Sequence, residues 1–548
     1  VAIEPIEVNG RNAQQIEFDA IAIAPAGGAL TITGAIVPKV AANASDDRPL
    51  QQEIKLGVGA EGVAAGAATA FLLPTLGQQN LPIAATAGRV SGQWTVTFLP
   101  QQPVTVDGTG SVDNGQLQLT SLADTGPWGN TIDAIDATAR FKGTTITLDR
   151  AEGSYETLDA TATGTVDWTG DYDLTARVAE TDLAQLLAQS EVELPIVLEG
   201  ALTSDVAITG PMLQPKLDAT VEEVGPVTVD RVVLNDLTAD VALQSDRIQD
   251  LFNTITVTQI SATPDLGGQV RGSGLFTLAD QPEFDFEVTA TDVSGDAIAS
   301  LYDVEQLPVS LGQVNATATL TGPVAALETR IDLQAPNLAY NDQLYPATAT
   351  AIFADGGLTI PQARVQVGTG TVTGQGRVGD DSWQADIVAN NVDLQTFGAV
   401  FNRDLPGSLN ANVALAGPLQ GVSPDNILAM GDYSLQLADG SVQGDAELIN
   451  GSWQTNATLS ALGLSQFAPQ LSGTTSGTVS LAGRPAALTL ATLQGQGDLN
   501  FSAGLAGLSP QLAGFDTPLS SRFAWTGQDL LIEQVSSAQL QARGVVSP

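Results

Sequence analysis

An all-β chain with short helices, built as a long, bent, mostly antiparallel sheet of tandem repeats, is the fold class this sequence predicts. Three observations carry the prediction. Apolar and polar residues alternate with a period of two over many separate runs, as in strands with one apolar face. A pattern of strand, short helix, strand recurs at long, nearly fixed steps, which is the mark of an array. The composition is poor in charge (15%) and aromatics (5%) across 548 residues and rich in small residues, which suits strands better than helix packing.

The reference copy runs from Trp383 to Pro418. Trp383, Ala385, Ile387 and Ala389 alternate with Gln384, Asp386 and Val388. A short helix is expected from Asp393, a natural N-cap, through Phe397. Leu405-Pro406 stops it. A second alternating strand passes through Leu409, Ala411, Val413 and Leu415 and closes at Gly417-Pro418.

The other copies follow the same order. Tyr172, Leu174, Ala176 and Val178 precede a helix at Asp182–Leu187, Leu194-Pro195, and a strand through Leu202, Val206 and Ile208 to Gly210-Pro211. Phe284, Phe286, Val288 and Ala290 precede a helix at Asp296–Tyr302, Leu307-Pro308 and Gly322-Pro323. A trimmed copy has Trp453, Thr455, Ala457 and Leu459, a turn at Leu464–Phe467, then Gly483-Arg484-Pro485, and a degenerate one has Leu81-Pro82 and the Trp94 strand. The expected divisions are a poorly matching β segment over 1–80, repeats over 81–194, 195–307 and 308–405, a short repeat over 406–471 and a truncated one over 472–548, all in one elongated array.

Within the repeats, Asn114-Gly115, Lys142-Gly143, Asp355-Gly356 and Asp439-Gly440 read as hairpin turns. Glycines 164, 272, 274, 374, 376 and 444 sit inside strand patterns, where they predict a bend or a close backbone approach. The Ala/Gly-rich stretch 58–74 reads as helix or loop. A start at Val1 and an end inside the pattern read as a segment cut from a longer protein.

Charge and missing residue types narrow the function. A net charge of −41 repels nucleic-acid backbones and anionic membrane surfaces; its plain reading is a solvated outer face. With no histidine and no cysteine, imidazole catalysis, thiolate chemistry and His or Cys metal sites are excluded. Asp46-Asp47, Glu222-Glu223 and Asp380-Asp381 fall in turns or edges, where adjacent acids are solvated. Gly368, Gly370 and Gly374 are not followed by a helix, so a phosphate loop fails its context. No enzyme, cofactor or metal is expected. No apolar run reaches the length of a membrane span.

What remains is the apolar stripe. It packs on itself as a closed core, or it lines an open trough whose backbone groups are already paired and which accepts acyl chains. Periodicity alone leaves both open.

The ordered grammar of an aromatic-led strand, a short helix at Asp182–Leu187 or Asp393–Phe397, Leu-Pro, and a strand closing at Gly-Pro resembles the TamB family and the wider AsmA-like bridge-type lipid transfer proteins. The resemblance covers about residues 80 to 548. It implies a U-shaped β-taco with an apolar lumen, held in the inner membrane by an N-terminal anchor, crossing the periplasm or intermembrane space, and meeting an Omp85-type outer-membrane barrel. It also implies a role in phospholipid movement and outer-membrane biogenesis, and a chloroplast envelope relative supports protein import. Neither the anchor nor a barrel-docking end is evident in this sequence.

The residues expected to line the trough are Trp383, Ile387, Leu409, Val413 and Leu415, with Phe284, Phe286, Val288, Leu202, Val206 and Ile208 in other copies. The alternatives are a repetitive structural or adhesive envelope protein with a sealed core, and a scaffold whose sheet edge pairs with nascent outer-membrane strands.

Overall fold

The computed structural model describes residues 2–8, 11–23, 27–39, 51–69, 83–119, 130–190, 196–211, 214–244, 253–278, 282–302, 309–340, 343–379, 381–397, 406–420, 423–467, 470–485, 489, 491–508, 511, 514–538 and 540–547. The protein is all-β, with a few short helices. It divides into two units, residues 1–288 with 321–325 and residues 289–320 with 326–548. In each, sequential strands pair antiparallel into one sheet that does not close into a barrel.

The reference copy takes the expected form. Strand Ser382–Asp393 pairs with Gly407–Pro418 through Ile387↔Val413 and Ala385↔Leu415, and a 3-10 turn at Leu394–Phe397 connects them. Asp393 caps that turn by accepting from the Gln395 amide at 2.9 Å, and Asp182 accepts from the Gln185 amide at 3.0 Å ahead of the helix Leu183–Ser190. The helix expected from Asp296 begins at Gly295 with Ser294 as its N-cap. Asp296 turns outward instead, accepting from Ser310 Oγ (2.7 Å), Leu311 N (2.7 Å) and Gly312 N (3.1 Å). Of the Leu-Pro stops, only Pro406 is among the described residues, just before the returning strand.

Asp355-Gly356 makes the expected two-residue hairpin, both residues at positive φ. Lys142 ends its strand and the loop is Gly143-Thr144, one residue later than expected. Asn114-Gly115 is not a turn. The strand Thr105–Leu119 runs straight through it, and Asn114 (φ 46°) forms a bulge against Thr131–Lys142. The 58–74 reading also needs correction, because Gln51–Ala64 is a strand and, among the described residues of that stretch, only 65–69 is helical, while 70–74 lie outside them. Val58 pairs with Trp94 and Val63 with Val90, so tertiary pairing overrides the local Ala/Gly composition.

The bulge recurs with one construction. Gly62, Asn114, Asp236, Asp292, Asn391 and Ala461 all sit at φ between 46° and 58°. Each donates its amide to a side-chain oxygen of a neighbouring strand: Ser91, Asp136, Glu223, Asn315, Asn410 and Ser476, at 2.7–3.0 Å. A bulge adds one residue and shifts the alternation by one. After five of them the next residue is buried: Gly115, and the apolar side chains Val63, Val293, Val392 and Leu462 at 1–4% exposure. The inserted residue therefore aims the strand end into a small core beneath the helical turn. Two such cores are Tyr345–Val367–Val392 and Leu394–Leu437–Leu462.

Candidate functional site

Cross-strand register decides which side chains share a face, since directly paired residues point the same way. In the first unit a row runs Val63, Val90, Val112, Ala137, Ala151, Ala162, Ala176, Val206, Ala219, Val241, Val257, Gly274. In the second unit a row runs Leu333, Ala349, Ala363, Gly374, Ile387, Val413, Gly431, Ala446, Thr455, Leu481, Gly495, Trp525, Leu530, Val546. Neither row holds a charged residue. The next rows toward the helical turns behave alike: Ala389–Ala411–Tyr433–Gly444–Ala457–Val479 and Leu409–Leu435–Val442–Leu459–Gly477–Leu499.

The opposite face carries the charge. One of its rows is Asp136, Glu152, Thr161, Arg177, Asp205, Thr220, Asp240, and another is Asn412, Asp432, Asp445, Asn456, Ser480. Cross-strand pairs such as Arg140–Asp149 and Arg522–Asp498 sit there in solvent. Asn412 and Asn456 each donate to one carboxylate of the directly opposed Asp432–Asp445 pair, at 3.0 and 3.1 Å. The concavities of about 460 Å³ lined by Asp205, Asp218, Thr220 and Asp240, or by Asp136, Glu152 and Arg177, are gaps between side chains of this solvated face. Another, of about 600 Å³, lies at the Trp453 strand end beside Glu447, Gln454 and Arg484.

Every residue expected to line the apolar face is half-buried, and the polar neighbours Asp285, Glu287, Gln384, Asp386 and Asn412 are exposed. Among the described residues only Val96 and Val392 are large side chains under 2% exposed. Ile387 and Val413 pair directly, Leu415 pairs with Ala385, and Leu409 pairs with Val392 beyond the bulge. Val206 and Ile208 pair with Ala176 and Leu174. Leu202 stands apart from them at the bulged end, where it pairs with Thr181 and Glu223, and Glu223 caps the Asp236 amide. Phe284 stacks on Phe276 at 4.6 Å and meets Phe286 edge-on at 5.8 Å.

The aromatic that leads each copy has a partner not anticipated from the sequence. Trp383, Trp453 and Tyr172 pair with Gly417, Gly483 and Gly210, the glycines of the closing Gly-Pro or Gly-Arg-Pro. A β-carbon on Gly417 or Gly483 would stand 3.1 Å from the indole, and one on Gly274 would stand 2.5 Å from the Phe286 ring. The rings therefore lie across glycine on the sheet surface. Burial pushes the Tyr172 phenol above its ordinary range. The recurrence of Gly-Pro, or Gly-Arg-Pro, at the end of the strand that follows each aromatic was the available signal.

Among the described residues no group of acidic side chains is arranged to hold a metal, and no helix is long and apolar enough to cross a membrane. Comparison with family models, with curated proteins and with solved structures finds no match.

Proposed function

We propose that the chain is a segment of a TamB-like, bridge-type lipid transfer protein whose apolar sheet face carries phospholipid acyl chains and so supports outer-membrane biogenesis. The observation that carries this reading is a face free of charge along the traced rows, whose apolar side chains are half-buried for most of their length, between a buried Val63 and an exposed Val546. A sealed core would bury such residues at native packing density. A face that already satisfies its backbone hydrogen bonds within the sheet asks nothing polar of its occupant, and an acyl chain offers nothing polar.

In this reading the protein is not an enzyme and needs no cofactor. It works in the periplasm or an equivalent intermembrane space, as part of a longer protein anchored in the inner membrane and directed to an Omp85-type barrel. The half-burial of the apolar rows argues against the sealed structural or adhesive alternative.

The test is lipid extraction and native mass spectrometry of the purified protein, combined with photocrosslinking amino acids at Val413 and Ile387 and at their polar neighbours Asn412 and Asp386. Co-purified phospholipid with capture confined to Val413 and Ile387 is expected. A lipid-free protein, or equal capture at all of these positions, would refute the reading.

A further inference from the structure

The two ends of the strands in the second unit are built differently. Its buried apolar residues, among them Val293, Val314, Val367, Val392, Leu437 and Leu462, all lie toward the ends that carry the helical turns. The bulges put Val293, Val392 and Leu462 there, and clusters such as Tyr345–Val367–Val392 and Leu394–Leu437–Leu462 pack that end with its own side chains. At the other end stand Trp383, Trp453 and Trp525, each half-buried. There the indole of Trp383 lies over Gly417 and its Nε1 donates to the Pro418 carbonyl at 3.1 Å. A tryptophan with its ring on an apolar surface and its N–H satisfied at the margin suits a boundary between oily and wet surroundings.

Between these ends the face offers chiefly Ala, Gly, Val and Leu, with Ile387, Tyr433 and Thr455 among them, and lacks the clustered aromatic and Arg anchors that mark protein hot spots. Its strands are already paired on both sides, so the face itself has no free backbone edge to offer a peptide. The matching occupant is long and featureless, with one polar end.

We infer that in this unit phospholipid lies along the strands with its headgroup at the Trp383–Trp453–Trp525 end and its acyl termini toward the helical turns. This orientation rests on the lipid-carrying reading above. It gives the two strand ends separate roles, one an open margin for headgroups and the other a closed floor.

The experiment uses the unaltered protein and two phospholipid photoprobes, one with a diazirine next to the headgroup and one with it at the acyl terminus. Labelled peptides are mapped by mass spectrometry after loading from zwitterionic vesicles. The headgroup probe is expected to label peptides bearing Trp383, Trp453 and Trp525 severalfold more than those bearing Leu409, Val442 and Leu459, and the acyl-terminus probe the reverse. Equal labelling of both ends by each probe, or the opposite polarity, overturns the orientation and leaves the lipid reading standing. Absence of labelling by either probe overturns the lipid reading and the orientation with it.

Discussion

Trp383 and Gly417 face each other across adjacent strands, and the indole rests where a side chain on Gly417 would be. The same pairing joins Trp453 to Gly483. A glycine inside a strand weakens it unless a neighbour covers the bare backbone, and here the ring does so. In these two copies the aromatic start and the closing glycine are one feature seen from two places in the chain.

Replacing that glycine should therefore dislodge the ring. Gly417→Val is expected to destabilise the protein by about 1–3 kcal/mol through overpacking, and to shift tryptophan emission to the red as the indole moves into water. Denaturant titration followed by fluorescence measures both. An unchanged midpoint and spectrum would show that the indole does not depend on the bare glycine surface.

The bulge clamps predict a pair of opposite effects. Asn410→Leu leaves the exposed Asn391 amide with water in place of its acceptor, a loss of about 0.5–1.5 kcal/mol. Asn391→Gly keeps the clamp and relaxes the left-handed backbone at φ 51°, so it should be neutral or slightly stabilising. Hydrogen exchange at residue 391 reports each directly.

Val413→Asp places a carboxylate in the middle of the apolar row beside Ile387. The site is half-buried, so the fold should survive at a cost of about 1–3 kcal/mol, while co-purified phospholipid should fall severalfold. Asn412→Asp, on the charged face, should change neither the circular dichroism nor the lipid content. Complete unfolding of the Val413 variant would mean that this face is a closed core.

Asp296 gives a pH dependence with a defined sign. Hydrogen bonds from the Ser310 hydroxyl and then the Leu311 amide hold its carboxyl below the ordinary carboxylate range; burial opposes them, and the Gly312 amide adds a lesser lowering. A depressed folded pKa contributes stability above the unfolded value of about 3.9, and that contribution is lost as pH falls through the lower folded value. Exchange protection at Leu311 and Gly312 should thus be constant at neutral pH and decline only below about pH 4. Asp296→Asn should lower protection at neutral pH and flatten the profile.

Alternation made the strands and their apolar face legible in the sequence, since a period of two fixes facing without knowledge of the partner. The short helical turns were legible through Asp182 and Asp393, whose side chains act locally. Register was not legible, because it depends on which residue sits opposite. Thus the Trp383–Gly417 contact and the Tyr172–Gly210 pairing were visible only as a recurring order, and Asn114-Gly115 passed for a turn when its left-handed residue serves a bulge. Leu202, grouped with Val206 and Ile208 by alternation, sits beyond a register shift and pairs with Glu223.

The strand count between one leading aromatic and the next has its own consequence. Six strands begin with Glu283–Ser294 and end before Ser382–Asp393, while four begin with Ser382–Asp393 and end before Ser452–Gly463. Both counts are even, so each tryptophan-led strand sets out from the same margin and heads the same way. Growth or loss by a single strand would send the next copy backwards and exchange its two margins. Lengthening or shortening in evolution, or by design, is therefore restricted to whole hairpins, and deleting Leu428–Ile449, two strands with their turn, should leave every remaining copy correctly oriented.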